Sequence, residues 1–567
     1  MRKSLVAAAL AVLATSLPVS LSTASAATTS QCSTPTTGYG RMFPSLSSAS
    51  WDASALTALG TTSIAAAETN PTPEGQVDSE DNKDIPAGYT YFGQFVDHDL
   101  TFDDRPNDLV TPTAVSSLEN GRTPQLDLDS LYGSGPSTSS NLYEADGVHL
   151  KVGAPLTGST DTGARDLPRD ATGKALIGDP RNDENRIVAG VHSLFIRLHN
   201  QTVDRIHTAE PNLSNSALFA RARQEVTWNY QWLIVTDYLP KIAGQQTVNS
   251  VINRTQNGWN TNLRFYDACQ QMPVEFSVAA YRFGHSMVRG LYRINDSVNR
   301  LPVFSGTFVP TSDLTGFSPS PSNFAIDWKF FVPGSGNGLG QAQASYKIDG
   351  SLTNSLSLLP LPTTGIGPAN LATRNLLRGQ QLGLPSGQDV ARAMGVTPLR
   401  DDQILVGKAS GDSADAQAIT SVSPTFAGKA PLWSYILAES VANAYPVSGG
   451  AITGPQRAPV RLGPVGGRIV TETIAGLLAS DPSSIVNHRE FSPRGQGVPA
   501  GVFDLQTLVN VVTRPTAVNP PPTSPTTAPR PTTTTTRPAP APQPPRQDPR
   551  PPFVAPRPTP PILRPRN

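Results

Sequence analysis

Cysteine is nearly absent from this chain: 567 residues hold two, Cys32 and Cys269. Neither lies in a Cys-x-x-Cys, so the usual spacing of a zinc or thiol-redox site is missing. Outside a cell the two could close one disulfide, or they stand as separate thiols; spacing alone decides neither. Charge of one sign is absent too. The 44 Lys and Arg balance 44 Asp and Glu, which leaves no reason to expect nucleic acid as a partner. Long apolar runs are also lacking. Leu5 to Leu13 is too short and too interrupted to span a membrane, and no later segment approaches that length. With Arg2 and Lys3 before it and Ala24-Ser25-Ala26 after it, this run has the form of a secretory signal over residues 1–26. The expectation is a soluble, secreted, extracellular protein.

Proline, by contrast, is plentiful, with 55 residues. From Arg530 to the end, Pro and Thr surround 7 Arg and a single acidic residue, Asp548. Such a segment cannot bury enough apolar surface to offset its ordering entropy. Residues 514–567 are therefore expected to be a disordered, polyproline-like tail. It reads as a basic arm for cell-wall contact or as a solubilising extension. The body, residues 27–513, exceeds the usual domain length. Two domains would account for that, and so would one large fold around a cofactor.

Helical periodicity dominates the body, and period-two alternation is scarce. Tyr91 to Leu100 suits a buried helix. Asn182 and Asp183 are candidate N-caps for a long amphipathic helix marked by Ile187, Val191, Leu194, Phe195 and Leu198 and reaching His207. Other helices are expected from Ser216 toward Tyr238, stopping at Pro240, and from Glu275 to Tyr292. Four more fall over 371–379, 387–394, 431–444 and 467–478. The stretch from Asp52 to Asp84 carries modest helical character, and 295–340 reads as loops. The expected fold class is mainly α, with very little β.

Four pieces of sequence could carry chemistry. In Gln94-Phe-Val-Asp97-His98-Asp99, a helix places Gln94 and His98 on one face with Asp97 beside them. Two carboxylates flanking a histidine on a greasy segment are expensive to bury without partners. Alone, such a histidine is more often a hydrogen-bonded core residue. In Thr123-Pro-Gln125-Leu-Asp127-Leu-Asp129, oxygen-bearing groups at every second position could converge on a hard cation such as calcium. The same alternation describes a half-exposed strand. Gly178-Asp-Pro-Arg181 sets an arginine at the mouth of the long helix, with Glu184 a turn on. There it either caps and solvates the helix or, if buried, meets negative charge that develops in a reaction. Last, Arg282-Phe-Gly284-His285 puts an arginine and an imidazole three apart beside a glycine that admits close approach. Those types suit a flat metal cofactor carrying carboxylates.

In this order the pieces resemble the animal-type haem peroxidase family, the family of myeloperoxidase. Phe92-Gly-Gln-Phe-Val-Asp-His-Asp99, Leu126-Asp-Leu-Asp-Ser-Leu-Tyr-Gly133, Gly178-Asp-Pro-Arg181 with His192 to Asn200, and Arg282-Phe-Gly-His285 carry the likeness. Asn375-Leu-Leu-Arg378 followed by Gly383-Leu-Pro385 extends it, and it runs from about Gly38 to Val512. The signal segment suggests a bacterial-type secreted member.

The resemblance implies a single-domain helical peroxidase fold holding b-type haem. His285 would be the iron ligand, Asn375 would accept a hydrogen bond from its other ring nitrogen, and Arg282 and Arg378 would hold the propionates. His98 would move the peroxide proton, Arg181 would stabilise charge as the O–O bond breaks, and Gln94 would organise water and anions. The oxidised, iron-oxo haem would then draw electrons from a halide, thiocyanate or a phenolic or aromatic donor. Asp97 and Glu184 match residues that form ester bonds to the haem; Asn185 stands where myeloperoxidase carries its haem-linked methionine, so that third bond cannot form. Asp99, Thr123, the Gln125 carbonyl, Asp127 and Asp129 would bind a structural calcium. His192 and His199 would have packing and hydrogen-bonding roles.

Two other functions compete. Fatty-acid dioxygenases of the same superfamily use a tyrosyl radical; in cyclooxygenases the tyrosine lies three residues before the proximal histidine, and here that position is Arg282, with Tyr281 next to it. A non-catalytic, calcium-stabilised adhesion or wall-binding protein is the alternative of another class. Hydrogen peroxide and a small anionic or aromatic donor are the expected partners.

Overall fold

The fold is organised around one short helix that is buried on nearly every side. In the computed structural model, every residue of Gly88–Leu100 except Gln94 is buried. A helix buried on nearly every side is enclosed by others, and its polar side chains must find partners inside. Phe95 stacks on Phe195 with ring centroids 4.9 Å apart, and Phe92 meets Tyr238 edge-on at 5.5 Å. Gly93 lets that contact form, because a Cβ there would lie 2.4 Å from the Tyr238 hydroxyl. Phe195 sits on the long helix Arg186–Ala209, and Tyr238 lies in the helical run that follows it. The structure describes residues 38–514 apart from 68–78, 104–108, 267–270, 307–308, 310, 335–337, 360–366, 413 and 494–497. The expected signal, both cysteines and the tail from 515 onward lie outside the described residues.

Three elements depart from the sequence expectations, each for a local reason. Asn182 and Asp183 do not cap the long helix. They belong to a 3-10 turn, Pro180–Asp183, and Asn185 is the cap, its Oδ1 accepting from the backbone N–H groups of Ile187 and Val188. Nor does the next helix stop at Pro240. Asn215–Leu233 widens into a π turn, Ile234–Tyr238, and continues as Leu239–Ala243. Pro240 is the second residue after the π turn, where the wider i→i+5 pattern already interrupts the i→i−4 ladder that a proline breaks. The expected helix from Glu275 to Tyr292 is two irregular pieces. A π turn, Glu275–Ala279, is followed by a 3-10 helix, Ala280–Met287. The buried Glu275 carboxylate accepts from the N–H groups of Met42 and Phe43, and Ala279 leaves helical geometry at φ −126°, ψ −67°.

Leu371–Gln381, Gly387–Ala393, Leu432–Ala444 and Pro464–Ser480 lie close to expectation. Ala53–Thr62 condenses out of the weakly helical segment, and Leu505–Thr513 was not foreseen. Among the described residues the strands form only two-stranded pairs, such as Asp81–Pro86 against Ala344–Tyr346. The fold is mainly α.

Candidate functional site

One cavity of about 490 Å³ gathers residues that are hundreds of positions apart in sequence. Gln94, Asp97, His98, Arg181, Glu184, Arg282, His285, Asn375 and Arg378 all line it. These are the nine non-calcium site residues expected from the sequence.

The Gly88–Leu100 helix supplies Gln94, Asp97 and His98. Gln94 Nε2 donates to Glu184 Oε2 at 2.9 Å, and its Oε1 accepts from Asn185 Nδ2 at 3.1 Å. Burial lifts the Glu184 carboxyl to about 6, against the opposing charges of Arg181 and Arg282. His98 Nδ1 lies 2.9 Å from Asn182 Oδ1. Burial first, and the Arg181 charge second, push the His98 imidazole down to about 4. At neutral pH it is therefore uncharged and able to accept a proton.

Arg181 is built in rigidly. Its Nε and Nη2 donate to the two oxygens of the fully buried Asp179 at 3.1 and 2.7 Å, and Nη2 also reaches the Thr101 carbonyl at 2.6 Å. Burial works against the charge, but the hydrogen bonds and charge of Asp179 outweigh it and hold the guanidinium above its ordinary value. Nη1 has no hydrogen-bond partner among the described residues. That geometry matches a donor poised toward the cavity rather than a solvated helix cap.

The 3-10 helix Ala280–Met287 supplies Arg282 and His285, whose three-residue spacing keeps them on one side. Arg282 Nη1 donates to Asp97 Oδ2 at 2.8 Å, and its Nε donates to the Ser277 carbonyl that the broken helix leaves open. Arg378 pairs with Asp103 and donates to Gln381. His285 Nδ1 meets Asn375 Nδ2 at 2.8 Å. The partner is as expected but the amide end is not. A donating Nδ2 would force the ring proton onto Nε2, whereas half a turn of the isosteric amide lets Oδ1 accept Nδ1–H and frees Nε2. Burial, then Arg282, lowers the His285 imidazole to about 3, so the ring is uncharged and has a lone pair to offer a metal.

These residues fit haem. A neutral imidazole with a second-nitrogen partner is the donor set for an axial ligand. A Cβ at Gly284 would meet nothing within 4 Å, so the backbone beside His285 is open to a flat group. Arginines 282, 374 and 378 line the same cavity and match propionate carboxylates.

The candidate cation loop meets the Gly88–Leu100 helix at Asp99. Asp99, Asp127 and Asp129 offer oxygens all within 4.8 Å of one another. The alternating Asp/Leu segment is a loop and not a strand, because Leu126 and Leu128 take φ values of +54° and +61° and turn the carboxylates inward. Thr123 joins through its hydroxyl, 2.8 Å from Asp127 Oδ1. No contact ties the Gln125 carbonyl to the cluster among the described residues. Burial raises all three carboxyls, and their mutual charges add to it at Asp99 and Asp129, the latter reaching about 6. Arg122 and Arg223 offset part of that charge.

Sequence reasoning missed Asn182, Asp179, Asp103 and Arg374. Asp179 sits inside the Gly178-Asp-Pro-Arg181 motif, so its pairing with Arg181 had a visible signal; the others had none, since their partners are distant in sequence.

The family model of the animal haem peroxidases matches residues 105–422. The chain belongs to the animal haem peroxidase family. It is 27% identical to mouse (Mus musculus) thyroid peroxidase over 299 residues, which are 49% of this chain and 31% of that protein. The match thus spans about a third of the relative's length. The fold is similar to that of peroxidase A from Dictyostelium discoideum, at a TM-score of 0.54 and 15% identity over 85% of this chain and 94% of that one. It is also similar to a fatty acid alpha-dioxygenase from Arabidopsis thaliana, at 0.52 and 15% over 82% and 76%.

Proposed function

We propose that the protein is a secreted haem peroxidase that reduces hydrogen peroxide and oxidises a halide, thiocyanate or a phenolic or aromatic donor. The convergence of nine family-matching residues on one cavity supports this reading most strongly. His285 Nε2 would bind the iron, Asn375 would orient the ring, and Arg282, Arg378 and the newly found Arg374 would hold the carboxylates. Bound haem supplies the electrons that reduce peroxide and the oxidising power that a donor then meets.

The protein's own groups manage the proton and the charge. His98, neutral and buried, accepts a proton from one peroxide oxygen and returns it to the other as that oxygen departs. Arg181, fixed by Asp179, stabilises the negative charge on the departing oxygen. Gln94, clamped by Glu184 and Asn185, keeps one orientation for incoming water or anions. The finer assignments rest on the family pattern: ester bonds at Asp97 and Glu184, calcium held by Asp99, Thr123, Gln125, Asp127 and Asp129, export by residues 1–26, and wall contact by the tail. An ester at Asp97 would neutralise its carboxylate and release Arg282 to a haem carboxylate.

Purified holoprotein with a Soret band is given peroxide and, side by side, iodide, bromide, thiocyanate and a phenol. Peroxide-dependent oxidation of at least one is expected. Turnover of none between mildly acidic and neutral pH would defeat the proposal. The dioxygenase reading keeps one observation, the Tyr281 hydroxyl donating to Tyr238 at 3.1 Å on the cavity wall. It requires oxygen uptake with linoleate.

A further inference from the structure

We propose that Asn182 is a positioning residue that selects the tautomer of His98, with His192 as the lock behind it. The inference rests on the peroxidase reading and assigns that site a group outside the family motifs. Asn182 is fully buried in the Pro180–Asp183 turn, and its amide lies between two imidazoles. Oδ1 is 2.9 Å from His98 Nδ1, and Nδ2 is 3.1 Å from His192 Nδ1. Both rings are enclosed, His98 at 5% exposure and His192 at 0%.

A carboxamide only accepts at one end and only donates at the other. With Oδ1 toward His98, the His98 proton must sit on Nδ1, which leaves the Nε2 lone pair bare. With Nδ2 toward His192, that ring must carry its proton on Nε2. Turning the amide over reverses both rings together, so one side chain dictates two tautomers. His192 Nε2 is buried with no hydrogen-bond partner in the protein, and its ring stands at 76° to Phe95 with centroids 5.9 Å apart. In apolar surroundings of this kind an N–H on Nε2 can still meet an aromatic ring, whereas a bare lone pair meets no donor. The amide orientation in the structure, Oδ1 to His98 and Nδ2 to His192, is the one in which His98 Nε2 is bare.

Only that arrangement permits the first proton transfer. The proton leaves one peroxide oxygen for Nε2, then passes to the other oxygen, which departs as water while two electrons come from the bound haem. Nδ1–H stays on the neutral Oδ1 throughout. An amide, unlike a carboxylate, does not trap the imidazolium, so the proton is handed on.

The test is ring-nitrogen NMR on the full-length holoprotein, 15N-labelled at histidine, in its diamagnetic ferrous carbon monoxide form. Rates of peroxide reaction and of cyanide association are measured on the ferric form. The wild-type chain is expected to show Nδ1–H at His98 and Nε2–H at His192. Asn182→Ala should abolish the His98 preference and slow both peroxide and cyanide by about tenfold or more, since each must surrender a proton. Haem content should stay unchanged. His192→Phe frees the amide to turn and should give mixed His98 tautomers with a smaller loss. It carries the test if Asn182→Ala does not accumulate. Nε2–H at His98 in the wild-type chain, or unaltered tautomers and rates in either variant, would overturn the proposal. Expected tautomers in a chain inert to peroxide would uphold it and reject the peroxidase reading instead.

Discussion

In the proposed function, His98 and Arg181 would divide the work of breaking peroxide between a base that must be neutral and a cation that must stay charged. The structure serves both with opposite surroundings. Apolar burial lowers the imidazole, while Asp179 holds the guanidinium charged. Replacing His98 by Leu should slow the reaction with peroxide by about 10²–10⁴-fold. Arg181→Gln should slow it by about 10²–10³-fold. Stopped-flow traces at the Soret band read both, and haem content should be retained in each. Asp97 and Glu184 make a separate prediction. If they form esters, acidified organic solvent will leave haem on the wild-type chain, and Asp97→Ala with Glu184→Ala together will release it. Complete release from the wild-type chain would rule the esters out. At this scale the candidate residues were legible, because motif spacing names residue types. Their partners were less so: Asn182 reaches back to a histidine 84 positions earlier, and no local pattern encodes that contact.

Among the elements, the straight helices followed from apolar periodicity, and the departures came where a tertiary bond outbid it. Glu275 reaches the backbone at 42–43, and the helix it starts widens and then tightens before His285. A second buried glutamate makes a pH prediction. Glu439 accepts from the N–H groups of Val465 and Gly466 at the start of the Pro464–Ser480 helix, and burial raises it from 4.5 to about 8. Its folded-state value is raised, so its stabilising effect is whole below about 4.5 and is lost as pH rises through about 8. Glu439→Gln should therefore unfold at a higher temperature than wild type at pH 8.5 and near the wild-type temperature at pH 4.5. Equal melting shifts at the two pH values would contradict this. The cation loop predicts a further stability difference. Calcium at one hundred times its Kd should add about 2.7 kcal/mol, read as a rise in melting temperature that EDTA reverses and Asp127→Asn weakens.

At the scale of the whole molecule, the chain closes helices from both halves of its body around a single cavity. Pairings such as Arg282 with Asp97 and Asn375 with His285 cross 185 and 90 residues of sequence. The mainly α class was readable from periodicity. The closure of the cavity was not, because helical spacing gives faces without saying which faces meet. The family resemblance names residues on several of those faces, and nine of them line the one cavity. The most direct test of the account is the haem spectrum of His285→Ala beside His98→Leu. The account predicts that His285→Ala loses its haem or its nitrogen-ligated iron signature, while His98→Leu keeps both and reacts sluggishly with peroxide. Normal haem ligation in His285→Ala, or an unslowed peroxide reaction in His98→Leu, would contradict it.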